Sequence, residues 1–190
     1  MDLDASDREA LIELARTAIR DGLANPVPPA LPEAAQGALA KPGASFVTLT
    51  RSGRLRGCRG TLDPIQPLAA DVAANAFFSA FDDPRFRPLA ADERDDLAIE
   101  ISVLSPLEVL PPMTEEELVA TLRPGIDGLI LADTGRRATF LPKVWDMLAE
   151  PGEFVRELKR KAGLPPGYWA RTMRCHRYTT ENFGGDFRSP

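Results

Sequence analysis

The most informative segment of the sequence predicts a β-hairpin. It consists of a first strand, Phe46-Val47-Thr48-Leu49-Thr50, the turn Arg51-Ser52-Gly53, and a second strand over Arg54–Leu62. Aromatic and β-branched residues favour a strand, and a glycine-containing turn between two such runs is typical of a hairpin. The sequence therefore predicts an antiparallel pair of strands at this point.

The second strand of this hairpin also carries the densest group of chemically useful residues, Leu55-Arg56-Gly57-Cys58-Arg59-Gly60-Thr61. Glycines beside Cys58 let another backbone or a ligand approach closely, because they lack a Cβ atom. Arginines beside a thiol offer planar donors to a carboxylate or phosphate and favour the charged sulfur. We therefore expect a binding or reactive site at the end of this strand.

Other segments predict a mixture of helices and strands. The clearest strand is Leu97–Leu104, in which Leu97, Ile99, Ile101 and Val103 share one face. Helices are predicted over Ser6–Gly22, after Pro67, from Thr114 to about Leu122, and twice within Pro142–Lys161; strands are predicted over Gly128–Asp133, Arg136–Leu141 and near Arg171–Tyr178. Ser6 with Glu9 predicts a capping box for the first helix. Separated hairpins among helices indicate an α+β fold with a mixed, largely antiparallel sheet flanked by helices.

Composition limits the class of protein. The chain has 190 residues, of which 44% are hydrophobic and 27% charged, as expected for one soluble globular domain with room for a subdomain. A net charge of −5 argues against a broad nucleic-acid-binding face. Neither a membrane-length apolar run nor a signal-peptide pattern is present, so we expect a cytoplasmic protein that does not bind membranes.

Cysteine and histidine usage excludes several kinds of site. The chain has two cysteines, Cys58 and Cys175, without a CxxC pair, and its single histidine is His176. Because Cys175 and His176 are neighbours on a predicted strand, they point to opposite faces and do not form one metal site. The sequence also lacks GxxxxGK[ST] and GxGxxG, so we predict neither a bound metal nor another cofactor.

Six segments taken together resemble one known family. They occur in the order found in the AMMECR family, whose bacterial members are called AmmeMemoRadiSam system protein A: Leu55–Gly60, Asp83–Phe86, Ile99–Leu104, Gly125–Leu129, Phe140–Val144 and Lys161–Leu164. The resemblance covers approximately residues 6–183, and Arg59 stands where the family's usual block has isoleucine.

The resemblance implies one α+β domain over residues 1–190, with a larger sheet-and-helix part and a smaller subdomain packed against it. It also implies that the protein acts with a Memo-like protein and a radical-SAM protein. It does not imply a particular reaction, so whether the chain is an enzyme stays open.

The candidate catalytic residues are Cys58 and Glu100. Cys58 is either a nucleophile or redox thiol, or a small apolar residue used for packing. Glu100 interrupts an apolar strand, and such a carboxylate is either a general acid or base or one half of a structural ion pair, with Arg56 as its obvious partner.

The candidate ligand-binding residues surround these two. Arg56 either binds an anion or pairs with Glu100, and Arg85 either reaches the cleft or tethers its loop through Asp82 or Asp83. The complete set of ligand-binding candidates is Arg56, Gly57, Arg59, Gly60, Arg85 and Ser102.

Three functional hypotheses follow. The first is a module that holds a small anionic ligand, or a segment of a partner, in a cleft near Arg56, Cys58 and Glu100. The second is an enzyme, or an enzyme subunit of a modification pathway, that uses Cys58 and Glu100. The third, a nucleic-acid-related role, is the weakest, because the chain is acidic and does not interleave basic with aromatic residues.

Overall fold

The structure, a computed structural model, describes residues 3–30 and 35–187. The helices are α1 (Ala5–Ala24), α2 (Leu68–Phe81), α3 (Glu115–Thr121) and α4 (Pro151–Lys161), and 3₁₀ turns cover Ala91–Asp96 and Pro142–Asp146. The strands are β1 (Pro42–Gly43), β2 (Ser45–Arg51), β3 (Arg54–Gly60), β4 (Gln66–Pro67), β5 (Leu97–Leu104), β6 (Glu108–Val109), β7 (Gly128–Asp133), β8 (Arg136–Phe140), β9 (Arg174–Tyr178) and β10 (Thr180–Asp186). Helices combined with antiparallel sheets confirm the predicted α+β class.

The chain divides into two compact units. The N-terminal unit contains the chain up to Leu104 together with the segment from Glu181, and the central unit is Ser105–Thr180. Each unit has its own four-stranded sheet, in the order β10-β5-β2-β3 in the N-terminal unit and β6-β9-β7-β8 in the central unit. The predicted hairpins therefore belong to separate sheets.

The N-terminal sheet buries one of its two faces under α1 and α2. Val47 and Leu49 of β2 and Ile99 and Ile101 of β5 share a core with apolar residues of both helices. Because successive side chains of a strand alternate between faces, Thr48, Cys58, Glu100 and Ser102 point away from this core. We call the side of β3, β2 and β5 that carries these four residues the polar face.

The first helix is capped differently from the prediction. The Asp4 carboxylate accepts a hydrogen bond from the Asp7 N–H at 2.8 Å, and the Asp7 carboxylate accepts one from the Asp4 N–H at 3.3 Å. The predicted Ser6–Glu9 capping box is therefore wrong, because the helix already begins at Ala5 and Ser6 lies inside its first turn. Aspartate serves as well as serine at an N-cap, since either side chain accepts a hydrogen bond from a helix N–H.

A buried carboxylate ties α2 to the sheet. Asp71 is fully buried, and its oxygens accept hydrogen bonds from the backbone N–H and the hydroxyl of Ser45, from the Thr61 hydroxyl, and from the side-chain amides of Gln66 and Asn75. Each of these groups donates, so a carboxylate satisfies all of them together. Asp71 thereby fixes the start of β2 and the residue after β3 against the helix.

The central unit repeats the same plan with a second core. Leu129 and Leu131 of β7 and Cys175 of β9 pack with apolar residues of α3 and α4, and the rings of Trp145 and Phe154 stack with centroids 3.9 Å apart. The predicted strands Gly128–Asp133 and Arg136–Leu141 are confirmed and form the β7–β8 hairpin, and the helix predicted from Thr114 is confirmed as α3. Among the described residues, no helix is long and apolar enough to cross a membrane.

Candidate functional site

Three polar side chains of the N-terminal unit lie in one row across adjacent strands. Thr48 of the middle strand β2 is opposite Cys58 of β3 on one side and opposite Glu100 of β5 on the other. Cys58 and Glu100 therefore share a face, and two strand spacings of about 4.8 Å separate their backbones. In the next row Phe46 is flanked by Gly60 and by Ser102, which is only 4% exposed.

The thiol of Cys58 is half-buried and lies outside the apolar core. The Thr48 hydroxyl donates a hydrogen bond to its Sγ, with 3.4 Å between Oγ1 and Sγ. This contact fixes the position of the sulfur on the polar face. Thr48 is not among the residues predicted for the site, although its place between the core residues Val47 and Leu49 puts it on the polar face by simple alternation.

The outer edge of β3 is closed at Cys58 by a charged pair. The Asp83 carboxylate accepts the Cys58 N–H at 2.9 Å, and the Arg85 guanidinium donates to the Cys58 carbonyl oxygen at 3.3 Å. The two side chains bind each other, with Arg85 Nη2 2.6 Å from Asp83 Oδ2. We call this pair the Asp83–Arg85 clamp.

The clamp occupies backbone groups that an edge strand would otherwise leave open to pairing with another chain. The guanidinium of Arg85 is the main cause that holds the pKa of the Asp83 carboxyl well below its usual range, and the Cys58 N–H lowers it further. Asp83 in turn raises the pKa of Arg85. Arg85 therefore tethers its loop through Asp83, which was one of the two alternatives predicted for it. It also donates to the backbone of Cys58.

Arg56 pairs with Glu93 and not with Glu100, the partner named in one of the two alternatives for it. Arg56 Nε lies 2.9 Å from Glu93 Oε1, and Arg56 Nη2 lies 2.8 Å from Glu93 Oε2. The expected pair with Glu100 is wrong because β2 lies between β3 and β5, while Glu93 lies on the 3₁₀ turn that precedes β5. The pair is buried, and Arg56 is the main cause that lowers the pKa of Glu93 to about 2. Sequence reasoning missed Glu93, since it lies in an acidic run without periodicity.

Close packing explains why glycine is found at positions 57 and 60 of β3. A Cβ atom on Gly57 would lie 2.0 Å from the backbone oxygen of Ser79 in α2, and one on Gly60 would lie 2.2 Å from the Phe46 ring. The hydroxyl of Ser79 also donates to the Val47 carbonyl oxygen and accepts the Arg59 N–H. Only a residue without a side chain allows β3 and α2 to approach this closely.

The remaining candidates are spread more widely. The Arg59 guanidinium lies 3.3 Å from the Asp82 carboxylate, and both side chains are exposed. Cys175 and His176 belong to β9 of the central unit, whereas Cys58 belongs to the N-terminal sheet. Burial raises the pKa of Cys175 to about 11, which leaves it a protonated, unreactive thiol. Within residues 3–30 and 35–187, no group of three or more His, Cys, Asp or Glu side chains is placed to hold a metal ion.

Fold and site together define a class: a two-unit α+β protein in which a glycine- and arginine-flanked cysteine lies on an edge strand closed by an Asp–Arg pair. The sequence pattern of the AMMECR1 family matches residues 12–183. The chain belongs to the AMMECR1 family.

Relatives and a solved structure agree with this assignment. A protein of Methanothermobacter thermautotrophicus is 34% identical over 188 residues, which is 97% of either chain. Protein PH0010 of Pyrococcus horikoshii is 36% identical over 94% of this chain and 90% of its own. The crystal structure of that uncharacterized protein matches with a TM-score of 0.87 at 35% identity, covering 96% of this chain and 94% of that chain.

Proposed function

We propose that this AMMECR1-family protein binds an anionic group of a ligand beside Cys58, and that it does so in a pathway with Memo-like and radical-SAM partner proteins. The observation that carries the proposal is the position of Arg85. Its Nε and Nη2 atoms bind Asp83 and the Cys58 carbonyl oxygen, yet its side chain is 52% exposed. The guanidinium has five N–H donors, so donors remain for a carboxylate or phosphate next to the thiol.

The charges around Cys58 support an anion over a cation. Residues 51–60 contain four arginines and no acidic residue, in a chain whose net charge is −5. The carboxylates that approach this segment from the side, Asp83 and Glu93, are each bound to an arginine. Counting Arg85, five arginines lie near the thiol, against the four carboxylates Asp82, Asp83, Glu93 and Glu100. The local balance is therefore positive by one charge, and a local positive charge attracts anions.

Arg56 has a supporting role in this proposal. Its Nε–Nη2 edge is bound to Glu93, and Nη2 also donates to the Arg87 carbonyl oxygen at 3.0 Å. Arg56 thus joins β3 to the loop that carries Arg85, while Arg85 supplies the ligand contact. Arg59 is opposite the core residue Val47, so its side chain leaves β3 on the other face and contributes only its charge. Gly57 and Gly60 act by bringing β3 close to its neighbours, and Ser102 adds a hydroxyl to the polar face.

One observation favours a second candidate, a thiol-dependent enzyme or enzyme subunit. Cys58, Thr48 and Glu100 form a row of thiol, hydroxyl and carboxylate, and the hydroxyl already donates to the sulfur. In this case Cys58 is the nucleophile, Thr48 orients it, and Glu100 exchanges a proton with a substrate that lies across the row. The anion-binding proposal does not require this chemistry, and the same face serves both.

The test compares two alkylating reagents of nearly equal shape, the anion iodoacetate and the neutral iodoacetamide. Peptide mapping follows modification of Cys58 in the native protein, and glutathione gives the reference ratio of the two rates. We expect the iodoacetate-to-iodoacetamide rate ratio at Cys58 to exceed that of glutathione, and inorganic phosphate to slow the iodoacetate reaction. The Arg85→Gln change should return the ratio to the reference, whereas Arg94→Gln, at an exposed arginine paired with Asp95, should leave it unchanged.

Because Arg85→Gln leaves Asp83 without its cation, Arg59→Gln and the charge-retaining Arg85→Lys are measured beside it. A ratio at Cys58 equal to that of glutathione, and insensitive to Arg59 and Arg85, would refute the anion site. Co-purification with the Memo-like and radical-SAM proteins, followed by mass spectrometry for a bound small molecule, tests the partners separately.

A further inference from the structure

We infer that the central unit has a second binding surface, which receives an extended acidic segment of a partner protein along Arg171–Arg174. We call this surface the basic trough. All the residues that form it belong to Ser105–Thr180, so it is independent of the polar face of the N-terminal unit.

Three adjoining cavities form the basic trough, with volumes of about 540, 530 and 560 Å³. The first two share Thr172 and Arg174, and the last two share Pro112, Arg171 and Met173 as walls. A single small ligand fills one cavity of this size. Three in a line along one chain segment form an elongated surface that suits a polypeptide in an extended conformation.

The charge of the trough favours an acidic occupant. Four exposed arginines line it, Arg136, Arg137, Arg171 and Arg174. Two carboxylates, Asp133 and Glu117, also line it, so the arginines exceed the carboxylates by two, and both carboxylates accept hydrogen bonds within the unit. The Tyr168 hydroxyl donates to Asp133 at 2.5 Å, and the Thr114 N–H donates to Glu117 at 2.8 Å.

The arrangement of strands spaces these charges. Ala132 of β7 is opposite Arg137 of β8 on one side and opposite Arg174 of β9 on the other. Two arginine residues thus flank the small apolar residue Ala132 on the same face of the sheet. Carboxylates of a bound segment fit between them, and arginine forks bind carboxylates through paired hydrogen bonds.

The backbone at the edge of the sheet favours a peptide over nucleic acid. The Leu110 N–H donates to the Cys175 carbonyl oxygen at 3.0 Å, and Val109 is opposite His176. Because hydrogen-bonding directions alternate along an antiparallel strand, the N–H and C=O of Val109 point away from β9. The Val109 side chain is 72% exposed, and this residue lines the middle cavity. This edge therefore offers backbone hydrogen bonds and an apolar contact to one end of a polypeptide that lies in the trough.

Fluorescence anisotropy with three labelled probes tests the inference on the full chain. The probes are an alternating glutamate–valine peptide of about ten residues, the matching lysine–valine peptide, and a thymidine oligonucleotide of similar length. We expect the acidic peptide to bind, the basic peptide not to bind, and the oligonucleotide to bind more weakly than the acidic peptide. Binding should weaken as salt is raised, because the contacts are exposed.

Variants locate the binding. The double change Arg171→Glu/Arg174→Glu should lower the affinity for the acidic peptide by about ten-fold or more. The control Arg156→Glu/Arg160→Glu, on the exposed side of α4, should change that affinity by less than about two-fold. Val109→Pro removes one N–H group from the edge of β6. It should lower the affinity for the acidic peptide without altering the charge of the protein. Absence of acidic-peptide binding, or equal losses in both double variants, would overturn the inference. Tighter oligonucleotide binding that depends on Arg171 and Arg174 would also overturn it, in favour of a nucleic-acid surface.

Discussion

Replacing Glu93 with glutamine should destabilise the N-terminal unit by about 3 to 4 kcal/mol, because it removes the anion of a buried ion pair. Each carboxylate oxygen of Glu93 lies close to two N–H groups. Oε1 lies 2.9 Å from Arg56 Nε and 3.5 Å from Arg51 Nη1, and Oε2 lies 2.8 Å from Arg56 Nη2 and 3.0 Å from the Ala90 N–H. A glutamine amide turns an NH₂ group towards donors in either orientation, so it cannot replace the carboxylate.

Two independent arguments give this magnitude. Removing one partner of a buried, hydrogen-bonded ion pair costs about 3 to 5 kcal/mol, because the other charge stays buried without compensation. Separately, the pKa of Glu93 is lowered from 4.5 to about 2, first by the hydrogen bonds from Arg56 and further by the Ala90 N–H, against the opposing effect of burial. At about 1.4 kcal/mol for each pKa unit, this shift corresponds to about 3 kcal/mol of stability at neutral pH.

The pKa shift also fixes the pH dependence. A carboxyl group with a lowered folded-state pKa stabilises the protein above its unfolded pKa, and this contribution is lost as pH falls through the folded value. The difference in stability between the wild type and Glu93→Gln should therefore be complete above pH 4.5 and decrease towards pH 2.

Urea unfolding followed by far-UV circular dichroism measures the change, since α1 and α2 lie in the N-terminal unit. Trp145 and Trp169 lie in the central unit, and their fluorescence therefore follows that unit separately. The control is Glu181→Gln, whose 2.6 Å pair with Arg8 is well formed but 31% and 45% exposed, and which should cost less than about 1 kcal/mol. A loss below about 1 kcal/mol for Glu93→Gln, or a loss that does not change between neutral pH and pH 3, would refute the reasoning.

Three further predictions use other contacts. Asp71→Asn should cost about 2 to 4 kcal/mol in the same unfolding experiment, because an NH₂ group then faces buried donors that now bind a carboxylate. Gly57→Ala should cost about 1 to 3 kcal/mol, measured by thermal unfolding, since its Cβ would lie 2.0 Å from the Ser79 carbonyl oxygen and would push β3 away from α2. Iodoacetamide should modify Cys58 in the native protein and leave Cys175 intact until unfolding, because burial raises the pKa of Cys175 to about 11. Peptide mapping measures both modifications, and equal rates at the two cysteines would contradict this prediction.

Strands with a clear apolar period could be predicted closely. The predicted strand Leu97–Leu104 has the bounds of β5, and the predicted turn at Ser52 and Gly53 has both residues at positive φ. Strand β10 was missed because Thr180–Asp186 is mostly polar and contains two glycines. It forms because Gly184 lets the backbone of β5 approach, where a Cβ atom would lie 2.2 Å from the Ile99 carbonyl oxygen. Local composition does not reveal a strand that depends on such a long-range contact.

The candidate site shows the same division between local and long-range information. The residues beside Cys58 were visible in the sequence as a dense block. The partner of Arg56 was not, because strand order decides it: β2 separates Arg56 from Glu100, and a turn that lacks any periodic pattern supplies Glu93. Thr48 was overlooked for a different reason, since a threonine inside a strand is ordinary until its register with Cys58 is known.

The contacts around Cys58 separate structural requirements from functional ones. Gly57 is required by the backbone of α2, Arg56 by its bond to Glu93, and the Asp83–Arg85 clamp by the open edge of β3. The clamp binds the N–H and C=O of Cys58, which every amino acid but proline possesses, so it does not explain a thiol at this position. The apolar core does not explain a thiol either, because Cys58 lies on the opposite face and is only half-buried.

The clamp does fix the position of the Cys58 backbone, and thereby places Sγ beside the Thr48 hydroxyl and in one row with Glu100. A side chain that the fold does not need, held in place by groups that the fold does need, is the physical reason for our proposal that a ligand binds beside Cys58.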